Sequence, residues 1–121
     1  MECKVLVIED DDDTREALVG LFRNEGYRVE GAADGLAALG IMTWGEFKPD
    51  VILADLLMPG MDGEQFRAFV RQNPGWALIP IVLCSGSELP LEKPPDFFSV
   101  MKKPLDLDRL LAIVKEACIA G

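Results

Sequence analysis

Histidine is absent from this 121-residue sequence, and that absence removes several classes of function at once. A chain without imidazole has no histidine general base, no Ser-His-Asp triad and no histidine ligand for zinc. The chain also cannot carry a phosphoryl group on a histidine of its own. Catalysis or metal binding must therefore use carboxylates, hydroxyls, amines or thiols.

Cysteine is scarce, since only positions 3, 84 and 118 carry it and no Cys-x-x-Cys pair occurs. We therefore expect neither a disulfide framework nor a zinc knuckle, and a reducing cytosol fits this cysteine usage best. Long apolar runs are also missing, because a membrane span needs about 20 apolar residues. No charged-then-apolar leader opens the sequence. The sequence thus predicts a soluble, cytoplasmic protein that contacts no membrane.

Basic residues are outnumbered, with 12 Lys and Arg against 21 Asp and Glu, for a net charge of −9. The negative electrostatic potential of such a protein repels phosphate backbones, so we expect no direct binding of nucleic acid. Half of the residues are hydrophobic and 27% are charged, a balance typical of a globular domain. The length predicts one domain over residues 1–121.

Five stretches have the character of strands in a parallel sheet that is covered on both faces. Three of them are continuous apolar runs rich in β-branched residues, and two are weaker. The strong runs are 3–9, 50–55 and 79–85, and the weaker ones are 27–32 and 97–102.

Between these stretches, apolar residues recur at helical spacing and predict three amphipathic helices. A further helix at about 35–44 is less regular because Gly40 interrupts it. Aspartates and turn residues mark the helix ends. The predicted apolar faces are Ala17, Leu18, Leu21 and Phe22, then Phe66, Phe69 and Val70, then Leu107, Leu110, Leu111 and Val114; the predicted N-caps are Asp13, Asp62 and Asp106, with Gly26 and Pro74 just past helix ends.

Strand and helix alternate along the whole chain, which predicts a single doubly wound α/β domain with a five-stranded parallel sheet. Prolines interrupt this rhythm between the fourth and fifth strands, at positions 90, 94 and 95. A proline inside a helix costs about 3 kcal/mol. We therefore expect the fourth connecting helix to be short or disrupted.

Polar side chains close four of the five strands. The first strand ends in Glu9 and Asp10, the third in Asp55, the fourth in Ser85 and the fifth in Lys103. In an open parallel sheet, ligands bind beyond the carboxyl ends of the strands, so these groups should meet at one edge. Taken singly, each has an ordinary explanation, such as a solvated acidic turn or a helix cap.

Carboxylates held close together repel one another unless a cation lies among them. Oxygen ligands without histidine or cysteine favour Mg²⁺ over zinc or copper. The Asp55 carboxylate could then act as a nucleophile toward a phosphoryl group. Ser85 and Lys103 would hold the other phosphoryl oxygens, because this transfer needs positioning and charge neutralisation.

These residues lie in motifs that resemble the response-regulator receiver domain of two-component signalling, a CheY-like family. The segment VLVIEDDDDTREAL at 5–18 resembles its first strand, acidic pair and first helix. DLLMPGMDG at 55–63 resembles its phosphoacceptor segment. PIVLCSG at 80–86 and KKPL at 102–105 resemble its fourth strand with the switch hydroxyl and its Lys-Pro turn. The resemblance covers essentially the whole chain.

The resemblance implies a Mg²⁺ site. Asp10 would bind the ion directly, and Glu9 would act as the second acidic residue through water. Asp55 would be a further ligand, and Leu57 would offer its backbone carbonyl. The same resemblance implies a flavodoxin-like strand order of 2-1-3-4-5.

The resemblance also implies phosphorylation of Asp55 by the phosphohistidine of a sensor histidine kinase or a phosphotransfer protein. Ser85 would be the switch hydroxyl and Lys103 the ion-pair partner of the phosphoryl group, with a cis peptide bond before Pro104. The phosphorylated state would act on an unknown downstream protein or output domain, and homodimerisation stays open. We expect a phosphoacceptor that assists its own phosphoryl transfer and slow dephosphorylation, not an enzyme acting on other substrates. No output domain follows in the sequence, so the chain either acts alone or is one piece of a longer protein.

Three features depart from the family pattern. Glu9 stands where aspartate is usual, Val100 stands where a switch aromatic is usual, and the interval between Ser85 and Lys103 is short. The last two departures motivate an alternative, namely a receiver-like interaction module that works without phosphorylation. Two further alternatives are less compatible with the residues. A flavin carrier would place phosphate against the acidic turn at 9–13, and a phosphohydrolase would need a second carboxylate where Leu57 stands.

Overall fold

Five parallel strands and four helices make up the part of the chain that the computed structural model describes, residues 2–55, 61, 63–85 and 97–120. The strands are β1 (Lys4–Ile8), β2 (Arg28–Ala32), β3 (Val51–Asp55), β4 (Ile81–Ser85) and β5 (Ser99–Lys102). The helices are α1 (Asp12–Asn24), α2 (Gly35–Thr43), α3 (Gly63–Gln72) and α4 (Leu107–Ala120). Among these helices, none combines the length and the apolar character needed to cross a membrane.

The strands form one sheet in the order β2-β1-β3-β4-β5, which confirms the predicted parallel, doubly wound fold. The register aligns their carboxyl ends. Ala54 of β3 pairs with Ile8 on one side and with Leu83 on the other, and Ser85 of β4 pairs with Lys102 of β5. The residues that follow or end these strands are therefore brought to one edge.

Two hydrophobic layers lie on opposite faces of the sheet, and this explains why the strands are apolar without alternation. Along β1, Leu6 and Ile8 belong to one layer, while Val5 and Val7 belong to the other. Helices α2 and α3 cover the first layer with Ala38, Met42, Phe66 and Val70. Helices α1 and α4 cover the second with Leu18, Phe22, Leu110 and Val114.

The predicted helix faces are confirmed in part. Each of the three faces buries a pair of residues four positions apart, namely Leu18 and Phe22, Phe66 and Val70, and Leu110 and Val114. The flanking members are not buried: Ala17 is exposed, and Phe69 and Leu107 are about half exposed. A helix lying on a flat sheet contacts it along a narrow stripe, so the wider face suggested by the apolar pattern is not filled.

Of the three predicted N-caps, one is confirmed, one is wrong and one is not tested. The N-cap of α1 is Asp11 and not Asp13, because the Asp11 side chain accepts the backbone N–H of Thr14 at 2.8 Å. Four consecutive aspartates give no local pattern that selects one of them as the cap. Asp106 caps α4 by accepting the N–H of Arg109 at 3.1 Å, as predicted, whereas Asp62 lies outside the described residues.

The turn residues also behave as expected. Gly26 follows α1 with a φ of 92°, a conformation that strongly favours glycine. The second helix exists at 35–43 despite Gly40, with Asp34 as its N-cap. The predicted irregular loop that carries the prolines falls at 86–96, outside the described residues.

The expectation of no disulfide was wrong for two of the three cysteines. Cys3 and Cys118 are joined by a disulfide, with their Cα atoms 6.1 Å apart, while Cys84 is a buried free thiol. The two cysteines are 115 residues apart in the sequence, so local spacing gave no indication that they pair. In a doubly wound fold each helix returns to the amino edge of the sheet, so the end of α4 reaches the residue that precedes β1.

The α1 cap generates a test. Asp11→Ala removes two hydrogen bonds from Thr14 to the Asp11 carboxylate, so we expect it to lower the urea midpoint of unfolding. Asp13→Ala is the matched control, because it removes a neighbouring first-turn charge without a capping bond. An equal or larger loss in Asp13→Ala would contradict the assignment of the cap.

The effect of Asp11→Ala should depend on pH. The hydrogen bonds from Thr14 hold the pKa of Asp11 below its ordinary value. A lowered pKa in the folded state gives a stabilisation that is present above the ordinary pKa and is lost as the pH falls through the folded-state pKa. The difference in midpoint between wild type and Asp11→Ala should therefore shrink in acid, measured by urea titrations at descending pH.

Candidate functional site

The carboxyl edge of the sheet collects acidic side chains from separate segments. Glu9 and Asp10 follow β1, and Asp55 is the last residue of β3. The backbone N–H of Glu9 donates to the carbonyl of Ala32 at 2.9 Å, which continues the ladder between β1 and β2 by one residue. Glu9 is thereby held in line with the sheet.

The three carboxylates converge. One carboxylate oxygen from each of Glu9, Asp10 and Asp55 lies within 4.8 Å of the other two. Glu9 is 3% exposed and Asp55 is 9% exposed, whereas Asp10 is on the surface. Buried carboxylates at this separation need a cation, because their mutual repulsion is poorly screened away from water.

Lys103 supplies one cation. Its Nζ donates to Oε1 of Glu9 at 2.5 Å and to Oδ2 of Asp55 at 2.8 Å. Burial disfavours the charged ammonium, but the hydrogen bonds to Asp55 and Glu9 outweigh this effect and raise the pKa of Lys103 above its ordinary value. The peptide bond from Lys103 to Pro104 is cis, as predicted.

Glu9 is held at further points. Its Oε2 accepts the backbone N–H of Asp11 at 3.3 Å, and its backbone carbonyl accepts a hydrogen bond from Nη1 of Arg15 at 2.9 Å. The other terminal nitrogen of Arg15, Nη2, donates to Oδ1 of Asp12 at 2.5 Å. Sequence reasoning missed Arg15, because an arginine in the first turns of a helix normally suggests only an exposed charge.

The remaining predicted residues are placed only in part. Ser85 is the last residue of β4, so its backbone lies at the same edge, but its side chain is outside the described part of the structure. Leu57 also lies outside the described residues. Val100 is half-buried and packs against the layer that α2 and α3 cover.

Cys84, next to Ser85, has no accessible thiol. The residue is 4% exposed, and burial raises the pKa of its thiol to about 12. Cys84 is therefore a packing residue beneath the acidic edge and not a thiolate ligand or nucleophile at neutral pH.

The donor set suits a hard divalent cation. All three candidate ligands are carboxylates, and the carboxylate of Asp10 has no hydrogen bond or ion pair within the described ranges. Oxygen donors that leave room for water match the preference of Mg²⁺, while zinc and copper prefer nitrogen or sulfur. The residues present therefore fit the expected ion.

A parallel sheet in the order 2-1-3-4-5, with three carboxylates and a lysine at its carboxyl edge, defines the CheY-like class of signalling domains. The family described as response regulator receiver domain matches residues 5–115, and the chain belongs to that family.

Individual relatives agree with this assignment. Protein Rrf1 of Nitratidesulfovibrio vulgaris is 33% identical over 120 residues, covering 97% of this chain and 83% of the relative. Sporulation initiation phosphotransferase F of Bacillus subtilis is 30% identical over 118 residues, covering 96% and 94%. The solved structure of the chemotaxis response regulator CheY4 of Vibrio cholerae superposes with a TM-score of 0.83 at 29% identity, covering 97% of this chain and 99% of that one.

The bridging role of Lys103 generates a test. Lys103→Met leaves two buried carboxylates without the cation that joins them, so the free energy of unfolding at pH 7 should fall by about 1–3 kcal/mol. This is less than for a fully buried pair, because a quarter of the lysine side chain is exposed. Lys102→Met is the control, since Lys102 is exposed.

The difference in stability between wild type and Lys103→Met should stay constant between pH 7 and pH 9. In the wild type, the raised pKa of Lys103 means that its stabilisation is fully present at neutral pH and is lost only in strongly alkaline solution. Urea unfolding of wild type and both variants at pH 7 and pH 9 measures this. Equal stability of Lys103→Met and Lys102→Met at pH 7 would show that the bridge contributes nothing.

Proposed function

We propose that this receiver accepts a phosphoryl group on the Asp55 carboxylate and signals through the phosphorylated state. The observation that carries the proposal is the convergence of Glu9, Asp10 and Asp55 within 4.8 Å, with the Lys103 ammonium 2.8 Å from Asp55. The receiver domain is proposed to span residues 1–121.

Glu9, Asp10, Asp55 and the backbone carbonyl of Leu57 would hold Mg²⁺. The ion, when bound, supplies positive charge to the phosphoryl oxygens and so lowers the repulsion between them and the attacking carboxylate. Asp10, as the exposed member of the set, would be the direct ligand. Glu9 would act through water, because one of its oxygens is already taken by Lys103 and the other by a backbone N–H.

The chemical step uses a donor phosphohistidine on a sensor histidine kinase or a phosphotransfer protein. An Asp55 oxygen forms a bond to phosphorus as the bond from phosphorus to the imidazole nitrogen breaks, and that nitrogen keeps the electron pair. The contact between the Lys103 ammonium and Asp55 supports a role for Lys103 in pairing with a phosphoryl oxygen. The Ser85 hydroxyl would bind another. The chain would act as phosphoacceptor in its own phosphorylation and slow dephosphorylation, and not as an enzyme with other substrates.

Phosphorylation would bias an equilibrium between two conformations. The partner that senses it is an unidentified protein or output domain, and a second copy of the chain is one candidate. The net charge of −9 supports a protein partner over nucleic acid. Val100, a half-buried aliphatic side chain packed against one core layer, would give this receiver an output route that does not depend on an aromatic at that position. We propose that it operates in the cytoplasm.

The phosphoacceptor is tested by substitution. Wild-type protein incubated with Mg²⁺ and a small phosphodonor should gain one phosphoryl group by intact mass, and the adduct should be released by hydroxylamine because an acyl phosphate is labile to it. Asp55→Asn should gain none, since the amide is not a nucleophile. Asp50→Asn is the control, because the exposed Asp50 carboxylate accepts the N–H of Lys4 and an amide oxygen can do the same.

Two outcomes would overturn the proposal. One is an adduct of equal yield in Asp55→Asn. The other is no adduct in the wild type from any donor or cognate kinase, which would leave the phosphorylation-independent interaction module as the better description.

A further inference from the structure

The disulfide between Cys3 and Cys118 lies at the end of the sheet opposite the acidic site. Cys3 precedes β1, and Cys118 is in the last turn of α4. Both residues are half-buried at the rim of the layer that α1 and α4 cover. Partial exposure lets a small thiol or disulfide reach the sulfurs, which a fully buried bond would not.

Contacts other than the disulfide hold the segment of Cys3 in place. The carbonyl of Cys3 accepts the N–H of Arg28 at 3.1 Å. The N–H of Lys4 donates to a carboxylate oxygen of Asp50 at 2.8 Å, and the N–H of Asp50 donates to the carbonyl of Lys4 at 2.8 Å. This end of β1 would therefore keep its position with the sulfurs reduced.

Core packing holds the segment of Cys118 in a similar way. Val114 and Ala117 of α4 are completely buried against the sheet. The Cα atoms of the two cysteines are 6.1 Å apart, inside the range for disulfides. Because contacts other than the disulfide hold the backbone at both cysteines, the bond can open and close without rearrangement of the core.

We propose that Cys3 and Cys118 form a reversible dithiol–disulfide pair, a redox clamp that fixes the last turn of α4 to the start of β1. Closure needs a small-molecule disulfide as oxidant. One cysteine thiolate attacks it, forming a mixed disulfide and releasing one small thiol. The second thiolate then attacks the protein sulfur of the mixed disulfide and releases the other small thiol. The two electrons and two protons lost by the dithiol appear in the two small thiols.

The clamp complements the ion pair at the other edge. At the carboxyl end of the sheet, Glu9 follows β1, Lys103 precedes α4, and their side chains form an ion pair at 2.5 Å. The β1 and α4 segments are therefore connected at that end without the disulfide. Opening the disulfide should therefore loosen only the last turn of α4 and leave the carboxylates in place. This inference does not depend on the proposed phosphorylation.

The clamp is tested in the folded wild-type protein. Samples of the disulfide form and of the dithiol form are equilibrated in buffers with different ratios of oxidised to reduced glutathione. Free thiols are then trapped by alkylation and counted by mass spectrometry. We expect the closed fraction to rise with the ratio and to reach the same value from both directions. Cys84 should stay unmodified until the protein unfolds, since it is 4% exposed.

Amide hydrogen exchange gives the conformational readout. Amides of residues 115–120 should exchange faster in the dithiol form, and Cys118→Ser should match that form in every buffer. Cys84→Ala is the control and should still switch. Three outcomes would overturn the proposal. The first is a disulfide that excess reduced glutathione opens only when the protein unfolds, and the second is a dithiol that does not close in any buffer. The third is an exchange rate at residues 115–120 that is the same in the disulfide and dithiol forms.

A second inference comes from Arg15. Its guanidinium donates to the carbonyl of Glu9 and to the carboxylate of Asp12. The aliphatic part of the side chain packs over β2 so closely that a Cβ added at Gly31 would lie 3.3 Å from Cγ and Cδ of Arg15. The backbone of Glu9 is thus held on both sides, since its N–H donates to the carbonyl of Ala32 and its carbonyl, in the peptide that joins it to Asp10, accepts from Arg15. We infer that Arg15 is a positioning residue that orients this acidic pair for a divalent cation, an inference that rests on the proposed Mg²⁺ site.

Charge and position predict opposite results when Arg15 is replaced. Arg15→Gln removes a positive charge near the site, so electrostatics alone would tighten Mg²⁺ binding. Loss of positioning should instead weaken it by about tenfold, as for other residues that orient metal ligands. Titration calorimetry with Mg²⁺ alone measures the affinity, and Arg23→Gln, on the same helix but bonded to Val29, controls for the charge.

The possible failures are distinguishable. Wild-type protein that binds no Mg²⁺ would defeat the proposed site itself. Wild-type binding with equal or tighter binding in Arg15→Gln would defeat only the role of Arg15.

Discussion

The ammonium group of Lys103 lies between two buried carboxylates, and the geometry of the carboxyl edge depends on that contact. Glu9 and Asp55 lie at the ends of β1 and β3, which are neighbours in the sheet. Lys103 directly follows β5, the strand at one edge of the sheet. Without a cation, two carboxylates so poorly exposed would repel each other and draw water into the sheet end. The lysine thus lets a folded protein keep negative groups closely spaced before any divalent ion arrives. The same closeness equips the edge for phosphoryl chemistry.

Much of this arrangement was predictable from the sequence. Continuous apolar strands require two covered faces, and a doubly wound parallel sheet brings the carboxyl ends of its strands together. Polar residues at the carboxyl ends of such strands, at 9, 10, 55 and 103, were therefore predicted to meet. The order of the strands came from the resemblance to a family and not from periodicity, because apolar patterns do not specify which strands are neighbours.

The misses share a physical origin. The cap of α1 depends on which of several adjacent aspartates points at Thr14, and the disulfide depends on two segments 115 residues apart. Arg15 donates to the backbone carbonyl of Glu9, and a contact to a backbone group cannot be predicted from the type of the residue that carries it. Local propensity and spacing describe single elements well but carry little information on contacts between elements. The roles of Ser85 and Leu57 stay predictions for a different reason, since the atoms concerned lie outside the described structure.

The division of β1 between two layers determines which core substitutions should interact. Val7 and Ile8 are adjacent in the chain, yet they pack on opposite faces of the sheet. Energetic coupling between mutations requires shared neighbours, so a double substitution at these adjacent positions should be nearly additive. Leu6 and Phe66, sixty positions apart in the numbering but within one layer, are the kind of pair in which the effects should not simply sum. In this molecule non-additivity follows the layer to which a side chain belongs, and sequence distance is a poor guide to it.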